Sequence, residues 1–135
     1  MKVLVFGTFD HLHPGHEFIL NEGLKRGELH VVVARDVTVE RIKGRKAEQS
    51  EEYRQQAIQK KFPKAHVILG DNEDYLKPVF SIAPDVILLG YDQRFPPGVQ
   101  LQDLPCKVER LPAFEPQKFK SSLRRGVRGS LGRER

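Results

Sequence analysis

"KVLVFGTFDHLHPGHEFIL", residues 2–20, is the stretch on which the fold turns. It begins as an apolar run closed by Gly7, with hydrophobic side chains at consecutive rather than alternate positions, the pattern of a strand covered on both faces. Beyond Pro14 the spacing changes. Ile19, Leu20 and Leu24 fall on one side of a helix that Gly27 can end, and Pro14 suits its first turn, where a missing N–H costs nothing. Strand, tight turn and helix in succession open a parallel α/β sheet, and ligands of such sheets sit at the carboxyl ends of the strands, near the point where strand order reverses. The turn at that end holds His11, His13 and His16, three of the chain's five histidines.

Working outward, "LHVVVA" (29–34), "HVILG" (66–70) and "DVILLG" (85–90) repeat the buried-strand pattern, and "CKVERL" (106–111) alternates, as an edge strand does. Between them, Ser50 can cap a helix whose first turn carries Glu51 and Glu52 and whose apolar stripe is Tyr53, Ala57, Ile58 and Phe62. A shorter helix is expected over residues 74–82, and "RFPPGVQ" (94–100) reads as a loop. The expected fold is α/β: a single Rossmann-like domain, residues 1–125, with a five-stranded, mostly parallel sheet and helices on both faces, then a basic tail, residues 126–135.

A chain of 135 residues suits one compact domain able to bury roughly two-thirds of its unfolded surface. The single cysteine, Cys106, rules out an intramolecular disulfide and reads as a small buried apolar residue. With no leader-like start and no apolar run near the roughly 20 residues of a membrane span, the expectation is a soluble cytoplasmic protein. The net charge of +5 is uneven: residues 118–135 carry +6 and the remainder −1, so a uniformly basic nucleic-acid surface is not indicated. Only Phe119 interrupts the tail's cations, which argues against a stacking platform for single strands.

The turn suits anion binding. A helix starting near His13 would offer backbone N–H groups and the positive end of its dipole, and His13 and His16, three apart, can point the same way and donate to one phosphate. Two other readings stay open from these residues alone: a metal site that adds Asp10, or a plain polar loop. His11 reads as a loop residue, and His30 and His66, at strand starts, as structural or exposed.

"GTFDHLHPGH" (7–16) resembles the signature of the HxGH-motif nucleotidylyltransferase superfamily, in its cytidylyltransferase and archaeal-type adenylyltransferase branch. The resemblance implies that His13 and His16 bind the phosphates of a nucleoside triphosphate and stabilise the transition state, with Gly7, Thr8, Phe9 and Gly15 beside the nucleotide and Asp10 beside the acceptor. "ARDVTVERIKGRKAEQSEEYR" (34–54) resembles a segment of archaeal FAD synthases, which implies a phosphate contact for catalytic Lys43 and acceptor contacts for Asp36 and Arg54. "LLGYDQ" (88–93) is similar to the "LGPDQ" segment of the same branch, with Tyr91 in place of proline, and implies nucleotide contacts for Gly90, Asp92 and Gln93. "FKSSLRRG" (119–126) resembles the superfamily's second signature and implies that Lys120, Ser121 and Ser122 hold the β- and γ-phosphates. A Mg²⁺ or other divalent cation bound mainly through those phosphates, and a homodimer, are further implications. ATP with FMN, making FAD, is the preferred substrate pair. A CTP-dependent enzyme acting on glycerol 3-phosphate, and a non-catalytic nucleotide- or RNA-binding module, stand as alternatives.

Overall fold

A computed structural model describes residues 1–114. In chain order they form β1 (Lys2–Gly7), α1 (Pro14–Arg26), β2 (Glu28–Val33), α2 (Asp36–Lys43), α3 (Glu51–Lys61), β3 (His66–Leu69), α4 (Lys77–Ile82), β4 (Val86–Leu89), a 3₁₀ turn (Leu101–Asp103) and β5 (Lys107–Arg110). The sheet order is β3-β2-β1-β4-β5, and every pairing is parallel. The expected α/β architecture is present, with a sheet parallel throughout rather than mostly so. β1 pairs with both β2 and β4, so strand order reverses beside its carboxyl end, where the histidine turn begins.

The consecutive apolar residues of the strands are explained by two separate cores. Val3, Val5, Val31, Val33 and Leu88 face α1 and α3, where Leu20 and Ile58 meet them. Leu4, Val32, Ile87 and Leu89 face the other way, against Val79 and Ile82 of α4. At about 25 cal/mol per Å² of apolar surface, this burial on both faces is the main force holding the sheet. β5 lies at the edge, as its alternation predicts.

Three local expectations need correction. Residues 36–43, to which the sequence pattern assigned no element, form α2: its β-branched Val37, Thr38 and Val39 mask a helical signal, and Gly44, at φ 75°, ends it in the left-handed conformation that glycine tolerates. On α3, Tyr53 is 58% exposed, and the buried stripe is Arg54, Ile58 and then Phe62, each four residues from the last. Cys106 is half-buried, and desolvation raises its thiol pKa. Ser50 caps α3 as expected, accepting from the Tyr53 amide at 3.1 Å. No helix of the described residues is long and apolar enough to cross a membrane. Lys120, Ser121, Ser122, Phe119 and the 126–135 tail lie outside the described residues.

Candidate active site

The turn after β1 is held in a demanding shape. Phe9 (φ 55°) and His11 (φ 59°) are left-handed, which costs a non-glycine residue of order 1–3 kcal/mol and persists only where the surroundings enforce it. They do so from the segment before α3. The two Asp10 carboxylate oxygens accept from the amides of Glu48 (2.8 Å) and Gln49 (3.0 Å), while the His11 amide donates to Gln49 Oε1 (2.9 Å) and its ring pairs with Glu48 (2.7 Å). Burial pushes the Asp10 carboxyl up, but those two amides, with His11 and Arg54, outweigh it and hold the pKa below its ordinary value.

His13 is the N-cap of α1. Its Nδ1 accepts from the amides of Gly15 (3.1 Å) and His16 (3.4 Å), and His16 Nδ1 accepts from the His13 amide (3.4 Å), a capping box built from two imidazoles. With each Nδ1 acting as acceptor, the ring donor left on each side chain is Nε2–H. The ring centroids lie 3.6 Å apart at an interplanar angle of 20°, a stacked pair. Desolvation by burial, then the charges of His13 and Lys43, push the His16 pKa down to about 4, so this ring is neutral at pH 7. The expectation of free amides at the helix start is corrected: Pro14 has none, His13 caps Gly15 and His16, and Glu17 donates to the His13 carbonyl. The donors on offer to an anion are imidazoles.

Both rings line a cavity of about 1140 Å³ at the carboxyl end of the sheet. Gly7, Thr8, Phe9, Asp10, Gly15, Lys43, Gly90, Asp92 and Gln93 line it too, so the structure brings these predicted residues together. Arg35 and Arg45 add further cations to the lining, and Phe6, Val39, Ile42, Leu76, Phe95 and Leu104 add apolar side chains. The β4 loop is fixed across the reversal point: Gln93 Nε2 donates to the Phe6 carbonyl (2.7 Å), and the Gly90 amide donates to Gln93 Oε1 (3.0 Å). Over residues 4–127 the sequence matches the model of the cytidylyltransferase-like family. The chain belongs to that family.

Among curated cytidylyltransferase-like relatives, the FAD synthase of Aciduliprofundum boonei is 46% identical over 96 residues, covering 70% of this chain and 64% of that protein, a little under two-thirds of its length. The FAD synthase of Methanospirillum hungatei is 39% identical over 128 residues, covering 90% of this chain and 81% of the relative. Among solved structures, the lipopolysaccharide core biosynthesis protein of Thermoplasma volcanium superposes with a TM-score of 0.73 at 35% identity, covering 85% of this chain and 98% of that one.

Two expected acceptor contacts of this family member are not at the cavity wall. Arg54 is fully buried: Nε donates to the Gln49 carbonyl (3.0 Å), one terminal nitrogen to the carbonyls of Thr8 (2.9 Å) and Ala34 (2.8 Å), and the other to Asp36 (2.6 Å). Asp36 is thereby committed to Arg54, and neither lines the cavity. Together they fasten the ends of β1 and β2 to α2 and α3, a positioning role. Sequence reasoning missed two further residues. Arg110 donates to the carbonyls of Gly90 (2.9 Å), Tyr91 (3.3 Å) and Gln93 (2.7 Å), bracing the β4 loop from β5. Thr38 lines the cavity with a buried hydroxyl that has no partner among the described residues. Its only advance signal was a hydroxyl on the same helical face as Ile42, which itself required α2 to be recognised. No three ligating side chains of the described residues meet within the cavity, so a divalent cation there fits best when carried by phosphate oxygens, as Mg²⁺ commonly is.

Proposed function

We propose that this chain transfers AMP from ATP to FMN, forming FAD and pyrophosphate. A phosphate oxygen of FMN attacks the α-phosphorus in line. The new P–O bond forms as the bond to the bridging oxygen of the β-phosphate breaks, and pyrophosphate carries away the electron pair. An acceptor phosphate already ionised needs no strong base, so positioning and charge stabilisation supply the acceleration. In this reading the Nε2–H groups of His13 and His16 donate to the phosphate oxygens that gain charge, Lys43 adds a cation, and Lys120, Ser121 and Ser122 hold the β- and γ-phosphates. When bound, Mg²⁺ would neutralise phosphate charge, held mainly through the phosphate oxygens. Arg54 and Asp36 act from behind the wall.

The observation that carries the choice of acceptor is the cavity's lining, which sets Phe6, Val39, Ile42, Leu76, Phe95 and Leu104 in the same cavity as Lys43, Arg35 and Arg45. A flavin ring system needs flat apolar contacts that a glycerol phosphate would leave unfilled. The FAD synthase relatives support the same choice. The proposal includes a homodimer, a cytoplasmic setting, a catalytic unit of residues 1–125 and a basic extension after it. The decisive assay is pyrophosphate release with ATP or CTP, crossed with FMN and glycerol 3-phosphate. Release with ATP and FMN alone is expected. Release confined to CTP with glycerol 3-phosphate would replace this reading, and release in no combination, with tight nucleotide binding retained, would favour a non-catalytic module.

A further inference from the structure

Away from the cavity, three side chains converge near the amino-terminal end of the sheet. Glu28 and His30 are two apart on β2 and so share a face, and His66 on β3 is the direct parallel partner of His30. The His30 Nε2 lies 2.5 Å from Glu28 Oε2, and the His66 Nε2 lies 3.9 Å from the same oxygen. The two rings stack with centroids 4.7 Å apart, and the three ligating atoms all fall within 4.8 Å of one another. Lys2, the register partner of Glu28, gives its ammonium to the Ile82 carbonyl at 3.1 Å and leaves the carboxylate to the histidines. The neighbouring Ile68 on β3 is 40% exposed.

We propose that Glu28, His30 and His66 form a binding site for a divalent transition-metal ion of the Zn²⁺ type. Two imidazoles and a carboxylate are a donor set that such ions favour, and a fourth position stays open to water. With metal–ligand distances of about 2.0–2.1 Å, a tetrahedral ion sets its ligand atoms about 3.3 Å apart, between the two contacts seen here. His30 is held in place with 15% of its side chain exposed, whereas His66 and Glu28 are open enough to admit an ion. Binding replaces the His30–Glu28 hydrogen bond, His30 ligating through Nε2 as the neutral tautomer that carries its proton on Nδ1. Because the ligands come from two strands, occupancy ties edge strand β3, only four residues long, to β2 and stabilises the folded chain by mass action.

The test uses the full chain, stripped with chelator and free of nucleotide. Calorimetric titration with ZnCl₂, the visible spectrum with CoCl₂ and thermal melts with either ion are recorded for the wild type, for His66→Gln, for Glu28→Gln and for His13→Asn/His16→Asn. One ion per chain with a raised Tm is expected in the wild type and in the cavity variant. Affinity should fall roughly tenfold or more in His66→Gln and Glu28→Gln. Both of these residues are exposed, and far-UV circular dichroism verifies their fold; the ¹⁵N imidazole shift of His30 on adding Zn²⁺ to the wild type reports binding directly. No Zn²⁺ binding, or binding lost only in the cavity variant, overturns the proposal. Neither outcome bears on nucleotidyl transfer.

Discussion

Replacing Arg54 tests whether the active-site loops are held from behind. Its guanidinium makes three hydrogen bonds to the carbonyls of Gln49, Thr8 and Ala34 and an ion pair with Asp36, all from a side chain with no exposure. Arg54→Met keeps much of the volume and removes every donor. Hydrogen bonds from a charged donor are worth about 1.5–3 kcal/mol each, and breaking a buried pair costs about 3–5 kcal/mol, so a loss of about 4 kcal/mol or more is expected. Asp36, half-exposed, recovers part of its hydration and adds little. In Arg54→Lys a compact ammonium reaches some of four acceptors arranged for a fork, and about half that loss is expected. Urea unfolding of ligand-free protein, with the exposed Tyr53→Ala as control, measures both. Variants within about 0.5 kcal/mol of wild type would refute the fastening role. An elevated KM for the acceptor without loss of stability would restore Arg54 as a ligand contact.

His16→Ala should lower turnover by roughly 10²-fold, the scale of losing one donor to a developing anion, measured as initial rates of pyrophosphate release. Because the His16 pKa in the folded state, about 4, lies below its unfolded value, the unfolded chain binds more protons between these limits. Stability should therefore fall as pH drops from about 6.5 towards 4, and urea midpoints across that window should fall less steeply in His16→Asn. A methyl group at Gly15 would lie 3.0 Å from His13 Cε1 and 3.2 Å from its Nδ1. Gly15→Ala should thus tilt that ring and reduce kcat about tenfold while Tm holds, since alanine is the better helix former by about 1 kcal/mol. Arg110→Gln should raise the KM for the nucleotide several-fold by loosening the β4 loop, and an unchanged KM would remove Arg110 from that role.

The sheet was legible because its strands are buried on both faces, and runs such as Val3–Val5 and Val86–Leu89 leave little else to read. α2 was hidden by β-branched residues, whose preference tertiary contacts overrode. The histidine pair was legible from spacing and from Pro14, because a helix N-terminus is a local device. Arg54 misled for the opposite reason. The resemblance of residues 34–54 to a family segment placed Arg54 at the acceptor, and only the three-dimensional meeting of Thr8, Ala34 and Gln49 shows that its donors are already taken. Thr38 and Arg110 depend on the same long-range geometry, which no local pattern encodes.

His13 serves its own helix before it serves any ligand, and mutagenesis of this turn inherits that double duty. Alanine there would strip the cap together with the outward-facing imidazole, so a dead variant would confound a frayed helix with lost chemistry. Asparagine caps as well as any residue but lacks the ring, so the difference between asparagine and wild type isolates what the imidazole contributes, and the difference between alanine and asparagine what the cap contributes.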